Sequence, residues 1–335
     1  MAKISQRSGA AATAMLGLGV YRPKRVVTND EVCEVLDSSD EWIQTRSGIR
    51  TRRYAGEDET LVDMATLAAQ AALESSGISA DQIGTVILAT STHAQHTPAA
   101  APIVADRLGS KAAAFDVAAG CAGFCHGLSV ASDLVRGGNA TYVLVIGVEK
   151  LSLFLDPTDR GTAFIFADGA GAVVVGPAEE AGIGPVAWGS DGSQSHVITQ
   201  EPGCQASDAE HPMVVRMEGT AVFRWAPFAM ADVARDAVAS AGIEMTDLDA
   251  FVPHQANLRI TETLARNLKL PEGIAIARDV QDAGNTSAAS VPLAIEAMVR
   301  KGEAKAGDTA LLIAFGAGLS FASQVVTIPR VAGVS

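Results

Sequence analysis

The chain is poor in the features that would put it in several large classes of protein. It has four cysteines in 335 residues, Cys33, Cys121, Cys125 and Cys204, with no CxxC pair and no spacing of a disulfide framework. Cysteine use of this kind fits a reducing cytoplasm. No apolar run reaches the roughly 18 residues of a membrane-crossing helix. The short run Ala10 to Tyr21 after Lys3 and Arg7 imitates the core of a signal peptide, but no clear cleavage region follows it, so Ala14 to Val20 is expected to be a first buried strand ended by Arg22-Pro23. Positive charge is also scarce. Lys and Arg number 25 against 38 Asp and Glu, a net charge of −13, which disfavours binding to nucleic acid or an anionic membrane. Any anionic ligand must therefore be met by a local basic patch.

What is present is a globular composition, 48% hydrophobic and 19% charged, with material for a large core and a length that suggests two domains. The chain also repeats itself. A helix, Ser76-Gly-Ile78, Asp81 and a strand from Thr85 to Leu88 are matched by a helix, Ala241-Gly-Ile243, Asp247 and a strand from Ala250 to Val252. Cys121 follows Ala119-Gly120, and 164 residues later Asn285 follows Ala283-Gly284. Each residue is expected to open a helix, and those helices end alike, in Val135-Arg-Gly-Gly138 and Val299-Arg-Lys-Gly302. Apolar strands follow, Tyr142 to Gly147 and Ala310 to Phe315, and then Ala170 to Gly176 and Leu319 to Val326. The near-continuous apolar strands point to α/β halves with sheets covered on both faces. The expected division is 1–177 and 178–335. Packed face to face, the halves would bring the Cys121 and Asn285 turns together.

Cys121 lies where a strand, Ala113 to Val117, gives way to small residues and then to a helical pattern. A helix N-terminus there would favour the nucleophilic thiolate. His254 in Val252-Pro-His-Gln-Ala-Asn257 would supply a base or a donor, and Asn285 a side-chain amide, the parts of a covalent acyl-transfer site. Each residue alone has a plainer reading: a packed thiol, a structural histidine, a helix cap. Only the repeat makes a constellation of them. Cys125, one turn after Cys121, reads as a packed neighbour, and His126 offers no ligand pair.

Longer motifs carry a family resemblance over nearly the whole chain. They are Ser38-Ser-Asp-Glu-Trp-Ile-Gln-Thr-Arg-Ser-Gly-Ile49, the cysteine segment Asp116 to Phe124, Asp159-Arg-Gly-Thr162, Phe166-Ala-Asp-Gly-Ala-Gly-Ala172, Pro253-His-Gln-Ala-Asn-Leu-Arg259, Gly284-Asn-Thr-Ser287 and Phe315-Gly-Ala-Gly318. With these the chain resembles the β-ketoacyl-acyl-carrier-protein synthases III, thiolase-fold condensing enzymes of fatty acid biosynthesis. The resemblance implies a five-layer αβαβα fold, a homodimer and a Cys121, His254, Asn285 site. It implies an acyl-coenzyme A primer carried on Cys121 and a malonyl-acyl-carrier protein whose decarboxylation, aided by His254 and Asn285, yields the attacking enolate. Coenzyme A is then a substrate, and no metal or redox cofactor is needed. Backbone N–H groups of Cys121 and Ala317 match the oxyanion site. Trp42 and Arg160 match residues that sandwich the adenine of coenzyme A, and Arg46 a phosphate contact. Arg224, Arg259, Arg266 and Lys269 are candidates for docking the carrier protein. Thr97, in the loop Thr92 to Pro98 that such enzymes lend to a partner's acyl pocket, stands where acetyl-restricted relatives carry phenylalanine, so longer or branched primers are expected. The same motifs would serve a priming ketosynthase of a polyketide pathway, or an acyltransferase that never condenses. A papain-like hydrolase would not explain the repeat, and a non-catalytic subunit would have lost Cys121.

Overall fold

A computed structural model describes residues 4, 5 and 7–334. The first half runs β1 (Ala12–Tyr21), β2 (Arg25–Thr28), α1 (Asn29–Cys33), α2 (Asp40–Ser47), β3 (Thr51–Tyr54), α3 (Leu61–Ser76), β4 (Ile83–Ala89), α4 (Ala100–Arg107), β5 (Ala113–Val117), α5 (Gly123–Arg136), β6 (Tyr142–Lys150) and β7 (Asp168–Ala178). The second runs β8 (Ala187–Ser190), β9 (Ile198–Glu201), β10 (Val214–Met217), α6 (Gly219–Ser240), β11 (Ala250–Pro253), α7 (Leu258–Leu268), β12 (Ala275–Ile276), α8 (Val280–Ala283), α9 (Ser290–Arg300), β13 (Thr309–Gly316), β14 (Ser320–Thr327) and β15 (Arg330–Val331).

The two main sheets have the same order. One is β1-β7-β6-β4-β5 with β15 added beside β1; the other is β8-β14-β13-β11-β12. Strand directions match as well: β4 lies parallel to β5 and β6, β11 parallel to β12 and β13, and the remaining equivalent pairs are antiparallel. The duplication read from the sequence is therefore a duplication of topology.

Layering follows from which faces are apolar. Leu18, Ile87 and Val145 of the first sheet, Val252, Leu312 and Ala322 of the second, and Leu128 and Ile295 of α5 and α9 form one core. The helices α5 and α9 thus lie between the sheets. The outer face of the first sheet packs on α3 and α4 through Met64, Ala68, Val104 and Leu144. The outer face of the second packs on α6 and α7 through Met230, Ala234, Leu264 and Phe251. Helix, sheet, helix, sheet, helix gives five layers, and each fully buried Leu or Ile contributes about 2 kcal/mol. Helix α3 shows why these segments are helical. Thr60 and Asp63 close a capping box at its start, an Ala-rich face packs inward, and Gly77 ends it in the left-handed conformation.

Candidate active site

Cys121 and Asn285 sit on equivalent turns, but not identically. Cys121 lies inside a 3₁₀ turn, Gly120–Ala122, that runs into α5. Asn285 stands two residues ahead of its 3₁₀ turn, Ser287–Ala289, and does not itself open the helix. Its backbone is instead tied to the neighbouring segment: Asn285 N–H donates to Ile165 O at 2.9 Å, and Ala167 N–H donates to Asn285 O at 2.8 Å.

The glycine-rich turn after β13 abuts the cysteine. A Cβ on Gly316 would lie 2.7 Å from Cys121 N and 3.2 Å from its Sγ, so only glycine fits without displacing the cysteine. Gly318 has φ +123°, a backbone conformation closed to residues with a Cβ. Ala317 N comes within 3.2 Å of where a Gly120 Cβ would stand. Neither Cys121 N–H nor Ala317 N–H has a backbone acceptor among the described residues, as expected of the first turn of a helix. Two N–H groups without backbone acceptors thus lie on the turns that pack around Cys121.

His254 follows β11. Its N–H donates to Ile313 O at 2.7 Å, and its ring meets Phe315 edge to face at 5.5 Å, one residue from the glycine that touches Cys121. Nδ1 lies 2.6 Å from Ser290 Oγ, and that oxygen accepts from Gln255 N–H at 3.4 Å. When the serine hydroxyl donates to Nδ1, the ring proton sits on Nε2. Burial pushes the His254 pKa down to about 3, so the ring is neutral at any working pH. Asn285 Oδ1 accepts from Ser287 N–H at 2.8 Å, which turns its NH₂ outward. Among the described residues, His254 Nε2 and Asn285 Nδ2 have no hydrogen-bond partner, yet neither is sealed from solvent. The site offers two neutral donors to an incoming oxygen.

One expectation is reversed. The helix terminus does not leave Cys121 as a thiolate: its pKa is pushed up to about 12, first by burial and then by the nearby Glu149 carboxylate. The Ser287 hydroxyl and the residue's own N–H pull the other way and lose. Cys121 retains some exposed surface, so the thiol is accessible but protonated at rest.

The sequence reading missed three residues here. Glu149 at the end of β6 is fully buried. It accepts from Thr92 Oγ1 (2.6 Å), Thr90 Oγ1 (3.1 Å), Ser91 N–H (3.0 Å) and Ser287 Oγ (3.1 Å). Ser287 joins it to the turn that follows Asn285, and Ser290 orients the histidine. A charged residue closing the apolar strand Val143–Val148 was the available signal. Cys125 is a fully buried core residue, and His126 stacks on Trp188.

The basic residues form a rim. The Arg160 guanidinium lies over the Trp42 ring at 4.9 Å and Arg46 lies 5.7 Å from it. Arg160 thus covers the indole itself, and a base reaches that face only when Arg160, half exposed and near Asp37, swings away. Asn257 Nδ2 donates to Arg46 O at 3.1 Å, which joins α7 to α2. Arg259 lies over Phe223 at 4.8 Å, beside exposed Arg224. Arg266 and Lys269 are exposed at the other end of α7, about 10 Å along the helix. Thr97 is exposed at the tip of a loop whose base, Thr92, is tied to Glu149. A cavity of about 980 Å³ near Glu74, Lys305 and Val334 is lined by none of these residues. Among the described residues no cluster of three or more His, Cys, Asp or Glu is placed to hold a metal, and no helix is long and apolar enough to cross a membrane.

The αβαβα frame is that of the thiolase-fold condensing enzymes. The 3-oxoacyl-[acyl-carrier-protein] synthase III family model matches residues 115–192, and the model of that family's C-terminal part matches residues 238–328. The chain is 53% identical to the β-ketoacyl-[acyl-carrier-protein] synthase III of Streptomyces glaucescens, over 98% of this chain and 100% of that one. It is 54% identical to the protein of the same name from Mycobacteroides abscessus, over 99% of each. A priming β-ketosynthase from the R1128 polyketide biosynthetic pathway superposes with a TM-score of 0.94 at 44% identity, covering 97% of this chain and 99% of that one. The chain belongs to the 3-oxoacyl-[acyl-carrier-protein] synthase III family.

Proposed function

We propose that the protein catalyses the initiating condensation of fatty acid biosynthesis, joining an acyl-coenzyme A primer to malonyl-acyl-carrier protein. Cys121 attacks the primer thioester, and the N–H groups of Cys121 and Ala317 receive the developing oxyanion. Coenzyme A leaves and the acyl group stays on sulfur. The malonyl thioester oxygen then sits between His254 Nε2–H and Asn285 NH₂. Loss of carbon dioxide builds negative charge on that oxygen, and two neutral donors stabilise it without first having to lose a proton. The enolate carbon attacks acyl-Cys121 and releases the β-ketoacyl product. The observation that carries this reading is the pairing of two free neutral donors in one half with a cysteine bordered by unspent N–H groups in the other. No step calls on a metal or a redox cofactor.

Trp42, Arg46 and Arg160 are the proposed coenzyme A contacts, with Arg160 moving off the indole to admit adenine. Arg224 and Arg259 on α6 and α7 are the proposed landing surface for an acidic carrier protein, with Arg266 and Lys269 extending it. β5 is the free edge of its sheet and exposes Phe115, which suits pairing with a second copy in a homodimer. Thr97 would then enter the partner's acyl pocket and leave room for longer primers. Residues 1–177 and 178–335 act as the two halves, β15 returning to the first sheet. Free cysteines suit the cytoplasm. The likeness to the R1128 priming enzyme supports a second reading, in which the same chemistry primes a polyketide. Incubation with malonyl-carrier protein and a panel of acyl-coenzyme A primers tests the reaction: wild type forms β-ketoacyl product and Cys121→Ser forms none. Absence of product from wild type refutes the reading, and a strong preference for acetyl over isobutyryl primer refutes the role of Thr97.

A further inference from the structure

The orientation of the Asn285 amide depends on one donor, and that donor is itself held. The Asn285 backbone is fixed by Ile165 O and Ala167 N–H, which leaves only the rotation of its side chain to be set. Ser287 N–H sets it, 2.8 Å from Oδ1. To do so Ser287 takes a φ of +47°, uncommon for a residue with a Cβ. Among the described residues Lys269 alone shares this departure outside glycine, and it ends a helix, where left-handed residues are ordinary. Ser287 instead heads a 3₁₀ turn, and such a conformation persists only where its surroundings enforce it. Its hydroxyl donates to Glu149 Oε1 at 3.1 Å. Glu149 is fully buried, and the other contacts hold its carboxylate still. Thr92 Oγ1 accepts from Lys150 N–H at 2.9 Å, and Thr90 Oγ1 accepts from Thr92 N–H at 3.1 Å. Both hydroxyl protons are thereby turned to Glu149 Oε2, at 2.6 Å from Thr92 and 3.1 Å from Thr90, and Ser91 N–H adds a donor at 3.0 Å. Strand β6 also presses on the turn, since a Cβ on Gly147 would run into Ala288 O.

We propose that Glu149 is a positioning residue for the condensation step: it locks Ser287 in the left-handed conformation and so keeps the Asn285 amide presented to substrate. In this role the carboxylate touches no reacting atom. Donors from residues 90–92 anchor it on one side, and the bond to Ser287 carries the restraint to the other. Without that bond the strain at Ser287 is relieved by a return to negative φ. The N–H then leaves Asn285 Oδ1, and the amide turns. The requirement is for a polar group of this length, not for its charge. A glutamine side chain can keep its oxygen among the donors of residues 90–92 and offer its NH₂ to Ser287 Oγ.

The proposal rests on Asn285 as a donor to the malonyl thioester oxygen, and rates and structures together separate the two. Acylation of Cys121 by acyl-coenzyme A and its discharge by malonyl-carrier protein are timed in single turnover for the full-length wild type, Glu149→Gln, Ser287→Ala and Ser287→Gly. Crystal structures are determined for wild type and both serine variants. Ser287→Ala removes the bond to Glu149 and keeps the strained Cβ, so discharge falls about tenfold or more while acylation stays within about threefold. Ser287→Gly lacks the bond but tolerates the positive φ, so it recovers a large part of that loss, and Glu149→Gln discharges within about threefold of wild type. The Asn285 amide is turned in Ser287→Ala and keeps its native orientation in Ser287→Gly. Equal loss of acylation and discharge in Ser287→Ala, no recovery in Ser287→Gly, or a Glu149→Gln as impaired as Ser287→Ala overturns the proposal. If Glu149→Gln fails to fold, the two serine variants decide alone. If wild type makes no β-ketoacyl product, the condensation reading falls and the crystal structures decide the positioning: an Asn285 amide that keeps its place in Ser287→Ala refutes it, and one that turns supports it.

Discussion

The two halves of the molecule present the same strand order and the same turn, yet put opposite chemistry on it. In the first half the 3₁₀ turn holds Cys121, and β6 carries the buried Glu149 one residue before its end, so this half presents a thiol and a carboxylate. In the second half β13 ends in Gly316, which lets backbone rather than a side chain lie against the sulfur. There the turn is delayed by two residues, so Asn285 is freed from the helix and Ser287 fixes its amide. On the proposed reading, one copy supplies the group that is acylated, and the other supplies groups that only donate hydrogen bonds. Duplication provides two equivalent positions, and small departures from equivalence would divide the reaction between them.

That division is open to breakage. Asn285→Ala removes a donor to the developing enolate and is expected to lower β-ketoacyl formation by about 10²- to 10³-fold. Single-turnover acylation of Cys121, followed by intact mass, should stay within a few-fold of wild type. Equal loss of both steps would show that the turns do not divide the work. Gly316→Ala, placed in the second half, should strike the first-half step instead. Its Cβ would stand 2.9 Å from Cys121 Cβ, and displacing the nucleophile by a fraction of an ångström is expected to cost about tenfold or more in acylation. Unchanged acylation kinetics in that variant would contradict the close approach.

The smallest effect sharpens the comparison through pH. His254 has its pKa depressed to about 3, so it stays neutral from pH 6 to 8. Discharge of acyl-Cys121 by malonyl-carrier protein, measured in single turnover, should change less than about twofold across that range. The sign for stability is also fixed. The unfolded histidine binds its proton below pH 6.5 and the folded one does not, so this residue's contribution is present above 6.5 and is lost as pH falls toward 3. A discharge rate that titrates near 6.5 would assign His254 a charge it is not expected to carry.

Much of this was legible in the sequence. The 164-residue offset between Cys121 and Asn285 gave the pseudo-symmetry, and the apolar runs placed the main strands to within a few residues. What escaped depended on burial. The thiolate expectation looked only at the helix terminus, whereas the surroundings that desolvate Cys121 come from segments far along the chain. Glu149 went unread, because its donors, Thr90, Thr92 and Ser287, assemble only in the folded state. Ser287 lies within the motif Gly284-Asn-Thr-Ser287, but its left-handed backbone, which lets it bond Asn285 and Glu149 together, has no sequence signature.

The most direct test of the account follows the acyl group itself. Wild-type protein is exposed to an acyl-coenzyme A, freed of excess primer, located by peptide mass spectrometry and then mixed with malonyl-carrier protein. The account predicts one acyl group on Cys121 that disappears as β-ketoacyl-carrier protein forms in equal amount. An acyl group that sits elsewhere, or that remains on Cys121 while the malonyl group is consumed, would contradict it.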